Sequence, residues 1–208
     1  MVFFTKNVFV DPDPFTSSIC NQTLSTSYNR IAMKPTIRDL SKELNVEIIR
    51  PTDDNYDEAR KIYNGMIDKR PAYIAKCKTP HDVIKTVNFA HKEGIEVSVR
   101  SGGHSGPGLA LTEGGIVIDL SPMKDIQVDS ETMTVRVEAG CTWGEVDRAT
   151  HEFGIATVSG ILSTTGVDAL TLDGCNGYLS RKYGLTIDNL ISDEVVLKNG
   201  QLVTTNEY

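Results

Sequence analysis

Residues 100–105, Arg100-Ser101-Gly102-Gly103-His104-Ser105, follow the apolar run Ile95 to Val99 and precede a second glycine turn, Gly106 to Gly108. The apolar run reads as a buried strand. Adjacent glycines let the backbone take positive φ and let a ligand approach without a Cβ in the way. Successive N–H groups in such a turn can converge on an anion. Arg100 adds a fixed positive charge at the edge of the turn, and His104 adds a nucleophilic imidazole. Taken alone, the same residues also describe a tight loop with a surface histidine.

Upstream, Thr79-Pro80-His81-Asp82 has the chemistry of a helix start: a capping hydroxyl, proline in the first turn and an acid at the positive end. Val83, Ile84, Val87 and Ala90 make the expected buried face, and Gly94 ends the helix. His81 and His91 fall on its solvated side. Tyr73-Ile74-Ala75 and Ile48-Ile49 read as strands. Asn55 to Lys69 reads as one helix with Ala59, Ile62, Tyr63 and Met66 on a single stripe, stopped by Pro71. A short amphipathic helix is expected over Thr36 to Leu44. Residues 1–35 read as a flexible segment, rich in Ser, Thr, Asn and Pro after Asp11. Met33 is a candidate alternative start, which N-terminal sequencing of the native protein would test. The apolar stretch Met1 to Val10 is too short and broken for a signal peptide.

Downstream, Ile116-Val117-Ile118 is a strand. Ile126–Val128 and Thr134–Glu138 form a hairpin with valines inward. Thr142-Trp143-Gly144-Glu145 is a capping box opening a helix with Val146 and Ala149 inward and His151 in its last turn. Ser163-Thr164-Thr165-Gly166-Val167 and Leu170 to Gly177 read as small-residue turns. Asn199-Gly200 signals a two-residue hairpin. The expected order is a small βα lobe followed by a strand-rich lobe, with the break near 104–115. Ligands favour the crevice between such lobes. No G-x-G-x-x-G opens a helix after the first strand, which excludes the usual doubly wound dinucleotide fold.

The 208 residues suffice for one large domain or two small lobes. A net charge of −7 with no basic stripe excludes a nucleic-acid surface. No run is long and apolar enough to cross a bilayer, so neither nucleic acid nor membrane is an expected partner. Cys20, Cys77, Cys141 and Cys175 form no CxxC pair, so no metal site is expected and the thiols read as reduced and singly packed. Asn21-Gln22-Thr23 is a glycosylation sequon, relevant only to a secreted chain. A cytoplasmic location is favoured, with secretion as the alternative.

Four pieces in order, Val99 to Ser105, Gly114 to Met123, Ser163 to Val167 and Leu179 to Leu190, resemble the FAD-binding domain of the vanillyl-alcohol oxidase / p-cresol methylhydroxylase (PCMH) type. The resemblance runs from about Ala72 to Val203 and is nearest to the berberine-bridge-enzyme-like branch. Tyr56 to Arg60 with Asn64-Gly65 looks like the family's opening helix, within an opening segment of residues 36–71. The resemblance implies an α+β fold, a two-lobed PCMH-type domain over residues 72–208, and FAD as cofactor.

It also implies site roles. Amides of Ser101 to Ser105 would hold the FAD pyrophosphate beside Arg100, Gly108 and Leu109, and His104 stands where the family attaches the flavin ring. Gly160, Ser163, Thr164, Thr165 and Gly166 would line the cofactor. Gly174, Gly177, Leu179 and Tyr183 would bring a tight loop beside it, and Asp188-Asn189 would anchor the next strand. Some branch members carry a second, cysteine link; Gly160 to Gly166 holds no cysteine here, so at most a single bond is expected.

The chain departs from the family at Asp173-Gly174-Cys175, where three glycines are usual, and at Asp168, where a small residue is usual. Two like unit charges about 4 Å apart repel by roughly 4 kcal/mol at intermediate dielectric, a penalty that facing solvent would remove. Tyr183 by itself reads as a core residue, and Arg181 and Lys182 as a solvated face. No catalytic residue is assigned. The implied function is the FAD-binding half of an FAD-linked oxidoreductase acting on a small-molecule alcohol, sugar or related C–H substrate. The resemblance leads one to expect a substrate domain that these residues do not include and a pocket largely supplied by it, so the other partner expected is a separate substrate-domain chain. The alternatives are a module that holds FAD without turnover, and a truncation without function.

Overall fold

The computed structural model describes residues 46–206 and the backbone of residues 2–6. In chain order the elements are β1 (Val2–Lys6), β2 (Glu47–Ile49), α1 (Tyr56–Ala59), β3 (Tyr73–Lys76), α2 (Pro80–Glu93), β4 (Val97–Arg100), β5 (Ile116–Asp119), β6 (Ile126–Asp129) and β7 (Thr134–Glu138). There follow α3 (Trp143–His151), α4 (Val167–Leu172), α5 (Ser180–Tyr183), a 3-10 turn (Ile187–Asn189), β8 (Leu190–Val196) and β9 (Leu202–Asn206). The expected helix over Thr36 to Leu44, Met33, the sequon at Asn21 and Cys20 lie outside the described residues.

The first sheet has four strands in the order β2-β3-β5-β4. β3, β5 and β4 run parallel, and β2 pairs antiparallel with β3. Its inner strands β3 and β5 are apolar up to their last residue because both faces are covered. On one face Tyr73, Ala75, Ile116 and Ile118 pack against Val83, Val87, Phe89 and Ala90 of α2. On the other, Ile74 and Val117 meet Tyr56, Leu111 and the partly buried Ala59, Ile62 and Ile67. α2 starts and stops as its residues dictate. The Thr79 side chain and Asp82 form a reciprocal capping box, and Gly94 takes the left-handed conformation at φ 63°.

The second sheet has the order β6-β7-β1-β8-β9. β6 and β7 form the expected antiparallel hairpin, as do β8 and β9 around Asn199-Gly200. Val135 and Val137 pack with Cys141, Trp143, Val146 and Val167. β1 lies between β7 and β8, parallel to both, with Val2 opposite Thr134 and Lys6 opposite Glu138. The reading of 1–35 as a flexible segment is therefore corrected at its start, where the backbone of 2–6 supplies a central strand. The two sheets share packing, since Val196 of β8 sits in the cluster beneath α2.

Three further expectations are corrected. The lobe break near 104–115 moves to the stretch between β5 and β6, because β5 is hydrogen-bonded into the first sheet between β3 and β4. The segment 101–115 is a long loop joining two neighbouring strands. The single helix from Asn55 to Lys69 stops after Ala59. Arg100 Nη1 takes the carbonyls of Ala59 and Lys61, and the Tyr63 N–H donates to Gly103 O at 2.9 Å, so the chain is drawn out of the helix. Tyr63 and Met66, two members of the expected stripe, are 71% and 87% exposed, while Ile67 turns inward instead. Finally, 167–172 is a helix and not a turn. Val167 is fully buried, and the Thr171 hydroxyl bonds back to Val167 O at 2.6 Å. That back-bond accommodates a hydroxyl residue inside the helix.

Buried charge is concentrated at two places. Arg100 Nη2 lies 2.7 Å from Asp119 Oδ2, with Asp119 fully buried, and Asp119 Oδ1 accepts from Ser121 N. Removing one member of a buried pair leaves the other uncompensated. Asp119→Ala should therefore lower unfolding free energy by about 3–5 kcal/mol, read by urea denaturation. The double replacement Arg100→Met with Asp119→Leu should recover much of the loss; equal destabilisation by single and double variants would count against the pair.

Asp168 is 4% exposed. Burial raises its pKa well above the ordinary carboxyl value, and the charges of Asp193 and Asp173 push the same way. The folded chain holds this proton over a range where the unfolded chain has lost it. Stability from Asp168 is therefore full at low pH and falls as pH rises from the unfolded value of about 3.9 towards the folded one. Asp168→Asn should flatten that fall, becoming more stable relative to the parent at pH 8 than at pH 4.5. Identical pH slopes in urea titrations would refute it.

Candidate functional site

The loop after β4 is the centre of the site. Residues 101–105 are half-buried, and Gly103 and Gly108 take φ of 71° and 76°. The N–H groups of Gly102, Gly103, His104 and Ser105 donate to no other group among the described residues. A half-buried loop with free donors is a place for an anion to bind, because backbone N–H groups left without any acceptor are costly. The Ser101 hydroxyl donates to Ala139 O, and the Ser105 hydroxyl accepts from Leu109 N at 2.9 Å. These bonds hold the loop's two ends.

The second loop, 163–166, meets the first backbone to backbone. A Cβ on Gly166 would come within 2.5 Å of Gly102 N and 2.7 Å of Ser101 Oγ, and a Cβ on Gly102 would overlap the Gly166 backbone. Only two glycines allow this approach. The loop is held from behind by the start of α3: Trp143 N donates to Thr165 O, Gly144 N to Ser163 O, and Val167 N to Cys141 O. Glu145 secures that start by accepting from Thr142 N at 2.7 Å and pairing with Lys124. Ser163 and Thr164 are left exposed.

A third segment, 174–189, follows. A Cβ on Gly160 would lie 3.2 Å from Cys175 Sγ, and a Cβ on Gly177 would overlap Ser159 O, so this segment seats against the chain leading to the second loop. The Leu179 carbonyl accepts from Lys182 and Tyr183, which makes α5 a single turn. Asp188 accepts from Leu185 N at 2.7 Å, and Asn189 Nδ2 donates to Tyr183 O and Leu185 O, so both secure the approach to β8.

Several residues behave differently from their sequence reading. The Arg100 guanidinium is engaged by Asp119 and by the Ala59 and Lys61 carbonyls, so its charge is paired inside the fold and does not stand at the edge of the turn. The loop's own N–H groups carry the positive field. Tyr183 is 47% exposed, which corrects its reading as a core residue, and Lys182 Nζ sits 4.8 Å over its ring. Leu109 is 73% exposed beside the loop. Asp168 faces the interior and not solvent, and burial raises its pKa, which favours the neutral form and works against the expected repulsion. Asp173 is exposed. Cys175 is buried and takes φ 47°, a backbone shape suited to the glycine that the family usually has there.

Cys77, Cys141 and Cys175 are free and buried. Burial pushes the thiols of Cys77 and Cys141 up to about 12 and raises that of Cys175. They remain thiols and poor nucleophiles. No group of three or more His, Cys, Asp or Glu suited to a metal occurs among the described residues.

Sequence reasoning missed one neighbour of His104. The Tyr63 ring stacks on the imidazole with centroids 4.4 Å apart and planes 15° from parallel. Asn64 Nδ2 donates to Gly106 O at 2.8 Å. Asn64-Gly65, a turn dipeptide inside an expected helix, was the signal that this stretch leaves the helix.

Comparison with known proteins matches this geometry. The (R)-6-hydroxynicotine oxidase of Paenarthrobacter nicotinovorans is 38% identical over 157 residues, covering 76% of this chain and 34% of that protein. An FAD-linked oxidoreductase of Dictyostelium discoideum is 38% identical over 157 residues, covering 74% and 34%. Among solved structures, 6-hydroxy-D-nicotine oxidase from Arthrobacter nicotinovorans superposes with a TM-score of 0.77 at 36% identity, covering 79% of this chain and 36% of that one. Xylooligosaccharide oxidase from Myceliophthora thermophila C1 superposes with a TM-score of 0.77 at 29% identity, covering 82% and 37%. The chain thus spans about a third of the length of the curated relatives it matches. The FAD binding domain family matches residues 71–206, a span that holds all three loops of the site, and the chain belongs to that family.

Proposed function

We propose that this chain is the cofactor-holding part of an FAD-linked oxidoreductase, with the flavin nucleotide lying along the three glycine-containing loops. The observation that carries this reading is the backbone contact of Gly102 with Gly166, beside the four N–H groups of Gly102 to Ser105 that have no partner within the described protein. The residues fit the group. The free amides suit the negative pyrophosphate, the surface of the two loops is made of small and hydroxyl side chains, and the one imidazole at the loop is His104.

When bound, the flavin supplies a two-electron acceptor for a substrate hydride, and a ring-methyl carbon whose bond to an imidazole nitrogen replaces one C–H and one N–H, the two electrons and two protons released passing to dioxygen as hydrogen peroxide. The chain's own part is to hold the pyrophosphate by backbone donors, to keep the two loops in backbone contact at Gly102 and Gly166, and to offer the His104 nitrogen. Cys141 and Cys175 are buried with raised thiol pKa values, so we propose one attachment point at most. In the whole protein the substrate would be a small molecule bearing a C–H bond beside nitrogen or oxygen. These residues span about a third of the length of their curated relatives, so by themselves we expect them to hold FAD with little turnover of alcohols or sugars.

The purified chain incubated with FAD in air should turn yellow and keep its flavin in the pellet after acid precipitation. His104→Ala should bind FAD but release it to the supernatant. A colourless wild-type chain at saturating FAD would overturn the reading. Gly102→Ala should force the two loops apart and weaken FAD binding by about tenfold or more, the scale of 1.4 kcal/mol, read by flavin fluorescence titration.

A further inference from the structure

Tyr63 is poorly explained by packing. It is 71% exposed, so burial of its ring contributes little to its position. Yet its backbone and side chain are both committed to the loop that carries His104. The Tyr63 N–H donates to Gly103 O at 2.9 Å, and the ring lies 4.4 Å from the imidazole at 15°. The next residue repeats the clamp, with Asn64 Nδ2 on Gly106 O and Asn64 Oδ1 accepting from Met66 N. Upstream, Arg100 holds the carbonyls of Ala59 and Lys61. Segment 59–66 is therefore fastened at both ends, and the one aromatic ring it presents rests on His104.

We propose that Tyr63 is the positioning residue for His104, and that its ring covers one face of the imidazole, fixes the plane, and leaves the nitrogen-bearing edge to meet the cofactor. The proposal rests on the reading of His104 as the flavin attachment point. The lone pair of an imidazole nitrogen lies in the ring plane. A stack occupies a face and leaves the edge free, so fixing the plane also fixes the direction of attack. Offset-stacked aromatic pairs hold such geometry, and orientation of a reacting group governs rate far more than affinity.

The test uses the full chain with Tyr63→Phe and Tyr63→Leu; an exposed side chain gives neither variant a reason to unfold. In the protein without FAD, the His104 ring protons should resonate upfield of those of His81, His91 and His151 through the ring current. Tyr63→Phe should keep that shift and Tyr63→Leu should lose it. With FAD in air, Tyr63→Phe should form acid-stable flavin at the parent rate. Tyr63→Leu should form it roughly tenfold or more slowly, with its dissociation constant for FAD before attachment unchanged. Attachment by Tyr63→Leu at the parent rate overturns the proposal, as does a rate loss matched by an equal loss of FAD affinity. If the wild-type chain binds FAD without a bond, the attachment reading fails by itself. The positioning claim is then decided by the ring protons: an upfield shift lost only in Tyr63→Leu upholds it, and its absence from the wild type overturns it.

Discussion

The Arg100 guanidinium is the tie on which the site depends. It is buried, anchored to the buried carboxylate of Asp119 on the next strand, and its remaining N–H groups reach the carbonyls of Ala59 and Lys61. One side chain thereby joins β4, β5 and the segment after α1. An arginine suits this place because its planar, permanently charged fork can satisfy several acceptors at once. The pair is a buried one, so its role is to fix an arrangement more than to add net stability. What it fixes is the level at which the chain leaves β4 and enters the glycine loop.

From that level the loops find each other by backbone contact. Gly102 and Gly166 touch where any side chain would intrude, and Gly177 approaches Ser159 in the same manner. The second loop is set by the capping of α3, whose first residues take the carbonyls of Ser163 and Thr165. The site is thus a junction between the mostly parallel first sheet with its helix and the mixed second sheet with α3 and α4. Its free donors are main-chain groups, whose positions are decided by the strands and caps behind them. Such donors need no reorganisation when an anion arrives.

Charge in the region is managed by burial and protonation. The Arg100 charge is internal, Asp173 is exposed to solvent, and Asp168 sits inside where burial and two acidic neighbours favour its neutral form. What the loop offers an anion is therefore its own amide dipoles, with the Arg100 charge spent inside the fold. The buried thiols are likewise held in their unreactive state.

Elements with local causes can be read from the chain alone. The caps of α2 and α3, the stop at Gly94, the β8–β9 hairpin at Asn199-Gly200 and the glycine loop with its histidine all follow from a few adjacent residues. Their order and spacing were also enough to mark the family. Features set by partners distant in sequence emerge only on folding. The helix expected from Asn55 to Lys69 ends early because Arg100, some 40 residues away, captures its carbonyls. The sheet boundary lies after β5 because strand pairing is long-range, and β1 joins the second sheet between strands that begin more than 130 residues later. The Tyr63–His104 stack was hidden for the same reason: periodicity records which face a residue would present in a regular element, and a contact made after the element has ended leaves no period to read.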